Sequence, residues 1–209
     1  MNSEVLNIDC MIGMSKYPDK YFELAIVDPP YGIGINMNMG RKKNAPKKHA
    51  TKQWDSNTPP HTYFVELFRV SKNQIIWGGN YFTLPCVRGW IYWDKDVPQG
   101  VSFADGELAW SSFDTVLRKA YIPYSGFNGT KGKIHPTQKP VKLYKWLLDK
   151  YAKQGDKILD THLGSGSSRI ACYDYGFDFT GFELDKDYFD AQEKRYKDHT
   201  DQINMFKTV

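Results

Sequence analysis

Apolar residues along this chain gather in short continuous runs, and each run is closed by glycine, proline or charge. Leu24-Ala25-Ile26-Val27 is cut off by Asp28-Pro29-Pro30, and Gln74-Ile75-Ile76-Trp77 by Gly78-Gly79-Asn80. Lys157-Ile158-Leu159-Asp160 runs into a Gly-Ser-Gly loop. Short apolar runs bounded by turn formers read as strands buried on both faces. Residues 89–93, 107–110 and 178–183 read the same way. Between them the period changes to that of a helix. Pro59 to Ser71 places Phe64, Leu67 and Phe68 on one face, and after Pro140 apolar residues recur at 141, 144, 147, 148 and 151. Gly155 is a stop signal for that second helix, and a third helical stretch runs from Arg169 through Tyr175. Residues 114–134 carry neither period and read as irregular. Strands alternating with helices predict an α/β fold, a mixed and mostly parallel sheet flanked by helices.

In such sheets ligands sit outside the carboxyl ends of the strands, so the residues closing each run are the first candidates for chemistry. Asp28-Pro29-Pro30-Tyr31 answers one particular problem. The exocyclic amine of adenine or cytosine is a poor nucleophile because its lone pair is delocalised into the ring. Two acceptors, one per N–H, localise that pair. The Asp28 carboxylate supplies one and the Pro29 carbonyl the other, held in place by two consecutive prolines, Pro29 and Pro30. Tyr31 offers an aromatic face on which a flat base can stack. A strand-ending turn explains the same four residues when they are taken alone.

The second candidate lies far downstream. Thr161-His162-Leu163-Gly164-Ser165-Gly166-Ser167 joins a strand to a helix, and Gly164 and Gly166 permit positive φ and close backbone approach to a ligand. The helix N-terminus behind them offers unpaired N–H groups suited to a carboxylate. The third glycine of the dinucleotide fingerprint is missing, which weighs against NAD. Glu183 closes the next strand, the position from which an acid binds ribose hydroxyls in this kind of fold. Between the two candidates, His135-Pro136-Thr137-Gln138-Lys139-Pro140 feeds a helix start. A helix cap accounts for Thr137 and Gln138 but leaves His135 and Lys139 unexplained.

Together these segments resemble the S-adenosylmethionine-dependent DNA amino-methyltransferases, and are most similar to the N6-adenine enzymes of the β arrangement. The matching elements are Asp28–Tyr31, His135–Pro140, the Asp160–Gly166 loop and Gly181-Phe182-Glu183, with the catalytic motif first and the cofactor loop last. The resemblance runs over nearly the whole chain. Residues 161–163 depart from the commonest family form, which often carries Phe before Gly-Ser-Gly. It implies a Rossmann-like methyltransferase fold over residues 1–209, with S-adenosylmethionine as cofactor and double-stranded DNA as substrate. Asp28, Pro29, Pro30 and Tyr31 would be catalytic. Asp28, His135, Thr137, Gln138, Asp160, Thr161, Leu163, Gly164, Ser165, Gly166 and Ser167 would surround the cofactor. Glu183 would bind its ribose, Lys139 would anchor its polar end, and Asp9-Cys10 would lie near its adenine ring.

Charge sharpens the substrate. The net charge is +4, but residues 41–52 hold six basic residues (Arg41, Lys42, Lys43, Lys47, Lys48 and Lys52) and no acid. The other 22 basic residues face 24 acids, a net of −2, so the whole excess lies just after the Asp28 turn. A solvated basic loop over 32–58 is the ordinary explanation of such a run; beside a base-modifying site, phosphate binding is the better one. A short target-recognition segment is expected at 114–134, which implies a short target or recognition shared across a homodimer.

Three isolated cysteines and five histidines without ligand spacing predict no metal site and a reducing compartment. The chain shows no long apolar stretch or cleavable leader, so a soluble cytoplasmic protein away from membranes is expected. Three alternatives stay open: methylation of N4 of cytosine, methylation of RNA or a protein amide, and a DNA-binding protein that has lost catalysis.

Overall fold

A computed structural model describes residues 1–34, 55–98, 100, 104–123 and 133–207, with side chains to residue 203. The basic residues Arg41, Lys42, Lys43, Lys47, Lys48 and Lys52, and residues 124–132 of the expected recognition segment, lie outside these.

Among the described residues eight strands form one sheet: β1 (Ser3–Leu6), β2 (Phe22–Val27), β3 (Ser71–Trp77), β4 (Trp90–Asp94), β5 (Gly106–Ser111), β6 (Arg118–Tyr121), β7 (Lys157–Asp160) and β8 (Asp178–Phe182). Their spatial order is β1-β8-β7-β2-β3-β5-β4-β6. All pairings are parallel except those of β5, which runs against both β3 and β4. The strand order reverses beside β2, so its carboxyl end opens at the switch point where α/β folds bind ligands.

β2 is apolar from Leu24 to Val27 because both of its faces are covered there. Leu24 and Ile26 enter a core with Ile75, Trp77 and Ile158, closed by Leu143 and Leu147 of α3 (Val141–Tyr151) and by Ala171 and Cys172 of α4 (Ser167–Tyr175). Phe22, Ala25 and Val27 point the other way, toward Met14 of α1 (Cys10–Met14) and Tyr63 and Leu67 of α2 (His61–Val70). Each large side chain removed from water here stabilises the sheet by roughly 1.5–3 kcal/mol.

Residues 114–134 are not irregular throughout, since β6 occupies Arg118–Tyr121. Only Ala120 of that edge strand is buried, so no apolar run marks it. β1, at the opposite edge, is masked for the same reason. The 22-residue α5 (Lys186–Lys207) also has no sequence counterpart above; its inward positions include Gln192, which is fully buried, and Tyr188. Among the described residues no helix is long and apolar enough to cross a membrane.

Candidate active site

The carboxyl ends of β2, β3, β7 and β8 open into one cavity of about 850 Å³. That lies within the span of small-molecule pockets, about 300–1,000 Å³. The turn after β2 brings Asp28, Pro29, Pro30 and Tyr31 to its wall. Because β5 runs antiparallel, its first residues arrive at this same end, and Glu107 joins the wall too.

Asp28 stands in a half-buried ionic network. Its Oδ1 accepts the Tyr31 hydroxyl at 2.7 Å, and its Oδ2 accepts Lys139 Nζ at 2.6 Å. Lys139 also donates to Glu107 Oε2 at 3.0 Å and to the Tyr31 hydroxyl at 3.3 Å. Lys95 donates to Glu107 Oε1 at 2.5 Å. Two carboxylates and two ammonium groups thus balance inside a cleft where the Lys139 side chain is only 2% exposed. Burial raises the pKa of Asp28 and the nearby Glu107 adds to that rise, while Lys139 opposes both. Burial would also raise Glu107, yet Lys139 and Lys95 outweigh it and hold that acid well down. Lys139 stays charged: burial disfavours its ammonium, but Asp28 and Glu107 together do more.

The Tyr31 ring is already stacked on one side. Tyr81 lies parallel to it, with centroids 4.9 Å apart and planes within 13°. Tyr31 reaches this position because Gly78, at φ +68°, has no side chain; a Cβ there would lie 2.2 Å from Tyr31 Cε1. The backbone of the turn is gripped by Asp55, whose Oδ1 accepts Tyr31 N at 2.7 Å and Gly32 N at 3.0 Å.

Across the cavity, the loop after β7 presents Thr161, His162, Leu163, Gly164 and Ser165. Gly164 and Gly166 have φ of +51° and +71°, as the spacing predicts. Glu183 is half-buried, which raises its pKa, and accepts Gly164 N at 2.7 Å and Asp185 N at 2.9 Å. A carboxylate has about four lone-pair sites, so acceptor capacity remains for a ligand hydroxyl. Asp9 caps α1, accepting Met11 N at 2.8 Å, and with Cys10 lines the same side. His135, Thr137 and Gln138 line the cavity as well, with His135 edge-on to Tyr188.

Three of the expected cofactor residues, Asp160, Gly166 and Ser167, do not line the cavity. Asp160 lies behind the loop, accepting Ser168 Oγ at 2.6 Å and His162 N at 3.1 Å, with burial pushing its pKa up to about 7. Ser167 Oγ accepts from Arg195, which also donates to Ser165 O at 2.6 Å, so α5 braces the loop from outside. Lys139 differs in another way, since its three donors point at Asp28, Glu107 and Tyr31. Glu107, Lys95, Tyr81, Asp55 and Arg195 escape a reading of the sequence. A charged residue opening an apolar strand, as in Gly106-Glu107-Leu108-Ala109-Trp110, is the one available signal for Glu107. His162 is one of the three loop residues that depart from the commonest family form. Burial lowers its pKa to about 4, so it is a neutral ring, edge-on to Tyr63 and bonded to Thr161.

A family model for DNA methylases matches residues 102–194, which include the His135–Lys139 segment and the Gly164 loop. Over 156 residues the chain is 27% identical to the Type II methyltransferase M2.MboI of Moraxella bovis, covering 74% of this chain and 52% of that protein. The structure resembles the crystallised M1.HpyAVI–SAM complex, at 20% identity and a TM-score of 0.59, over 92% of this chain and 98% of that one. It also resembles a PvuII DNA methyltransferase described as cytosine-N4-specific, at 15% identity and a TM-score of 0.62, over 98% and 92% of the two chains. These structural likenesses establish a shared fold.

Proposed function

Taking the chain as a member of the amino-group (N6/N4) DNA methylase family, we propose that it methylates the exocyclic N6 amine of an adenine flipped out of duplex DNA, with S-adenosylmethionine as donor. The observation that carries this reading is that Asp28 and the Gly164–Glu183 side face each other across one cavity.

The residues present fit the donor. Glu183 has acceptor capacity for a ribose, the Gly164–Ser165 backbone allows close approach, and Asp9 and Cys10 complete that wall. Bound there, S-adenosylmethionine supplies a methyl group made electrophilic by its sulfonium charge. The chain supplies position. The base amine gives its N–H groups to Asp28 and to the carbonyl of Pro29, which localises the nitrogen lone pair toward the donor. Asp28 does not remove a proton beforehand, since a carboxylate is far too weak a base for a neutral amine. The two acceptors make the neutral amine nucleophilic, and a proton leaves only after the nitrogen has become cationic.

For the flipped base to contact Tyr31 face to face, it must enter beside or displace Tyr81. The basic residues between 41 and 52 would bind the phosphates, adding a steep salt dependence to DNA affinity. The second reading is N4-cytosine methylation, favoured by the likeness to the PvuII enzyme; both bases present the same amine to the same two acceptors. Incubating the protein with duplex DNA and methyl-labelled S-adenosylmethionine, then digesting to nucleosides, tests both. N6-methyladenine supports the first reading, N4-methylcytosine replaces it with the second, and unlabelled DNA sinks both.

A further inference from the structure

We propose that Lys139 and Glu107 are positioning residues acting in opposite senses on Asp28: Lys139 keeps its carboxylate ionised while the base amine approaches, and Glu107 keeps it basic enough to take the proton that amine later gives up. The proposal rests on the amine-methylating role given to Asp28 above.

Lys139 is committed to this network. An ammonium group has three donors, and those of Lys139 are directed at Asp28 Oδ2 (2.6 Å), Glu107 Oε2 (3.0 Å) and the Tyr31 hydroxyl (3.3 Å). In this arrangement no donor is left for a ligand. Pro140 follows directly as the N-cap of α3, so the Lys139 backbone is set by the helix start.

Asp28 needs that cation. A carboxylate this deep tends to protonate, and once protonated it turns part of its acceptor capacity into a donor that an amine does not want. The groups around it come from six places. They are Lys139 before α3, Tyr144 on α3, Glu107 on β5, Lys95 after β4, Tyr63 on α2, and Asp160 at the end of β7, besides Tyr31 on its own turn. Of these only Lys139 puts a positive charge in direct contact with Asp28 among the described ion pairs.

Glu107 works against it. Sharing the Lys139 ammonium, it draws part of that charge away from Asp28, and Lys95 in turn neutralises the second Glu107 oxygen. The consequence appears after transfer. When the N–CH₃ bond has formed and the S–CH₃ pair has gone to sulfur, the nitrogen carries a positive charge and both of its protons. One proton passes to Asp28, the N–H electron pair returns to nitrogen, and the neutral methylated amine remains. Asp28 paired with a lysine alone would be a poorer acceptor for that proton.

The two roles predict shifts of opposite sign. In single-turnover methylation of duplex DNA at saturating S-adenosylmethionine, Lys139→Met should move the acid limb of the pH–rate profile up by about one pH unit or more. Glu107→Gln should move it down. Limbs that stay put or move together would overturn the proposal, because a merely structural loss lowers rates without choosing a sign. Cofactor affinity, measured by calorimetry, should change less than about threefold in either variant, whereas a loss of about tenfold in Lys139→Met would return that residue to the cofactor. A readout without catalysis separates this proposal from the function itself. Infrared difference spectra of Lys139→Met at neutral pH should show a protonated carboxyl band that vanishes when Asp28→Asn is added. Its absence would refute the role of Lys139 even in an active enzyme. Its presence in a protein that never methylates DNA would leave the network standing and remove the function. If Lys139→Met does not fold, the near-isosteric Glu107→Gln carries the test through the sign of its shift.

Discussion

The ring of Tyr81 lies flat against that of Tyr31, 4.9 Å between centroids, on the wall where a base would stack. Aromatic contacts of this kind add roughly 0.5–1.5 kcal/mol beyond area burial, so the stack is easily exchanged for a base. Tyr31 is held from three further directions: its hydroxyl donates to Asp28, its N–H to Asp55, and its ring edge rests on Gly78.

That last contact gives a direct test. Gly78→Ala would place a methyl 2.2 Å from Tyr31 Cε1, at a φ of +68° that costs a non-glycine residue about 1–2 kcal/mol. The variant should lose most methylation while binding S-adenosylmethionine nearly normally, because Gly78 lies on the Asp28 side of the cavity. Calorimetry beside a labelled-methyl assay checks it. Weakened cofactor binding with unchanged turnover would contradict this placement.

Asp28→Ala should reduce methylation by about 10²–10³-fold or more, since it removes one of the two acceptors proposed for the amine. Folding should survive, because Lys139 keeps Glu107 as a partner. Cofactor affinity should hold for the same reason. Retained turnover in a folded variant would sink the assignment of Asp28.

These residues were readable to different degrees, for physical reasons. Asp28–Tyr31 and Gly164–Gly166 are contiguous in the chain, and local geometry alone demands their prolines and glycines. The central strands were equally legible, because burial on both faces leaves an unbroken apolar run such as Leu24–Val27. Edge strands β1 and β6 bury little and leave no such mark. Glu107 and Lys139 are 32 residues apart in the sequence, and their contact exists only because β5 runs antiparallel to its neighbours. Lys139 was visible as a candidate, but its partner Asp28 stands 111 residues away, and no spacing rule connects them.

Asp160 predicts a pH dependence of stability. Its pKa is raised by burial from 3.8 to about 7, with the bonds from Ser168 and His162 N opposing the rise. A group whose folded pKa is raised contributes stability fully below its unfolded pKa and loses it as pH rises through the folded value. Asp160→Asn cannot ionise, so relative to wild type it should gain stability between about pH 4 and pH 7. His162, lowered to about 4, does the reverse: its contribution is present above the unfolded value of 6.5 and lost as pH falls through 4. That term is common to both proteins and cancels in the comparison. Urea midpoints measured at about pH 5 and pH 8 decide the matter, and a constant difference between the two proteins would show that Asp160 remains ionised when folded.

Arg195 separates the support of the cofactor loop from its contacts. Its Nη1 lies 2.6 Å from Ser165 O and 2.9 Å from Ser167 Oγ, and burial lowers its pKa. It sits on α5, so it reaches the loop from behind and does not line the cavity. Removing a charged donor from a buried acceptor costs about 1.5–3 kcal/mol. The Ser165 backbone is what that bond holds, so part of the loss should appear where Ser165 would meet the cofactor under the proposed reading. Arg195→Gln should therefore weaken S-adenosylmethionine binding by about tenfold or more. The pH–rate profile of the residual activity should keep its shape, because Asp28, Lys139 and Glu107 are untouched. Calorimetry and a rate profile at saturating donor test the two halves separately. Unchanged affinity would mean that Gly164 and Gly166 fix the loop unaided, and a displaced acid limb would mean that the two walls of the cavity are not independent.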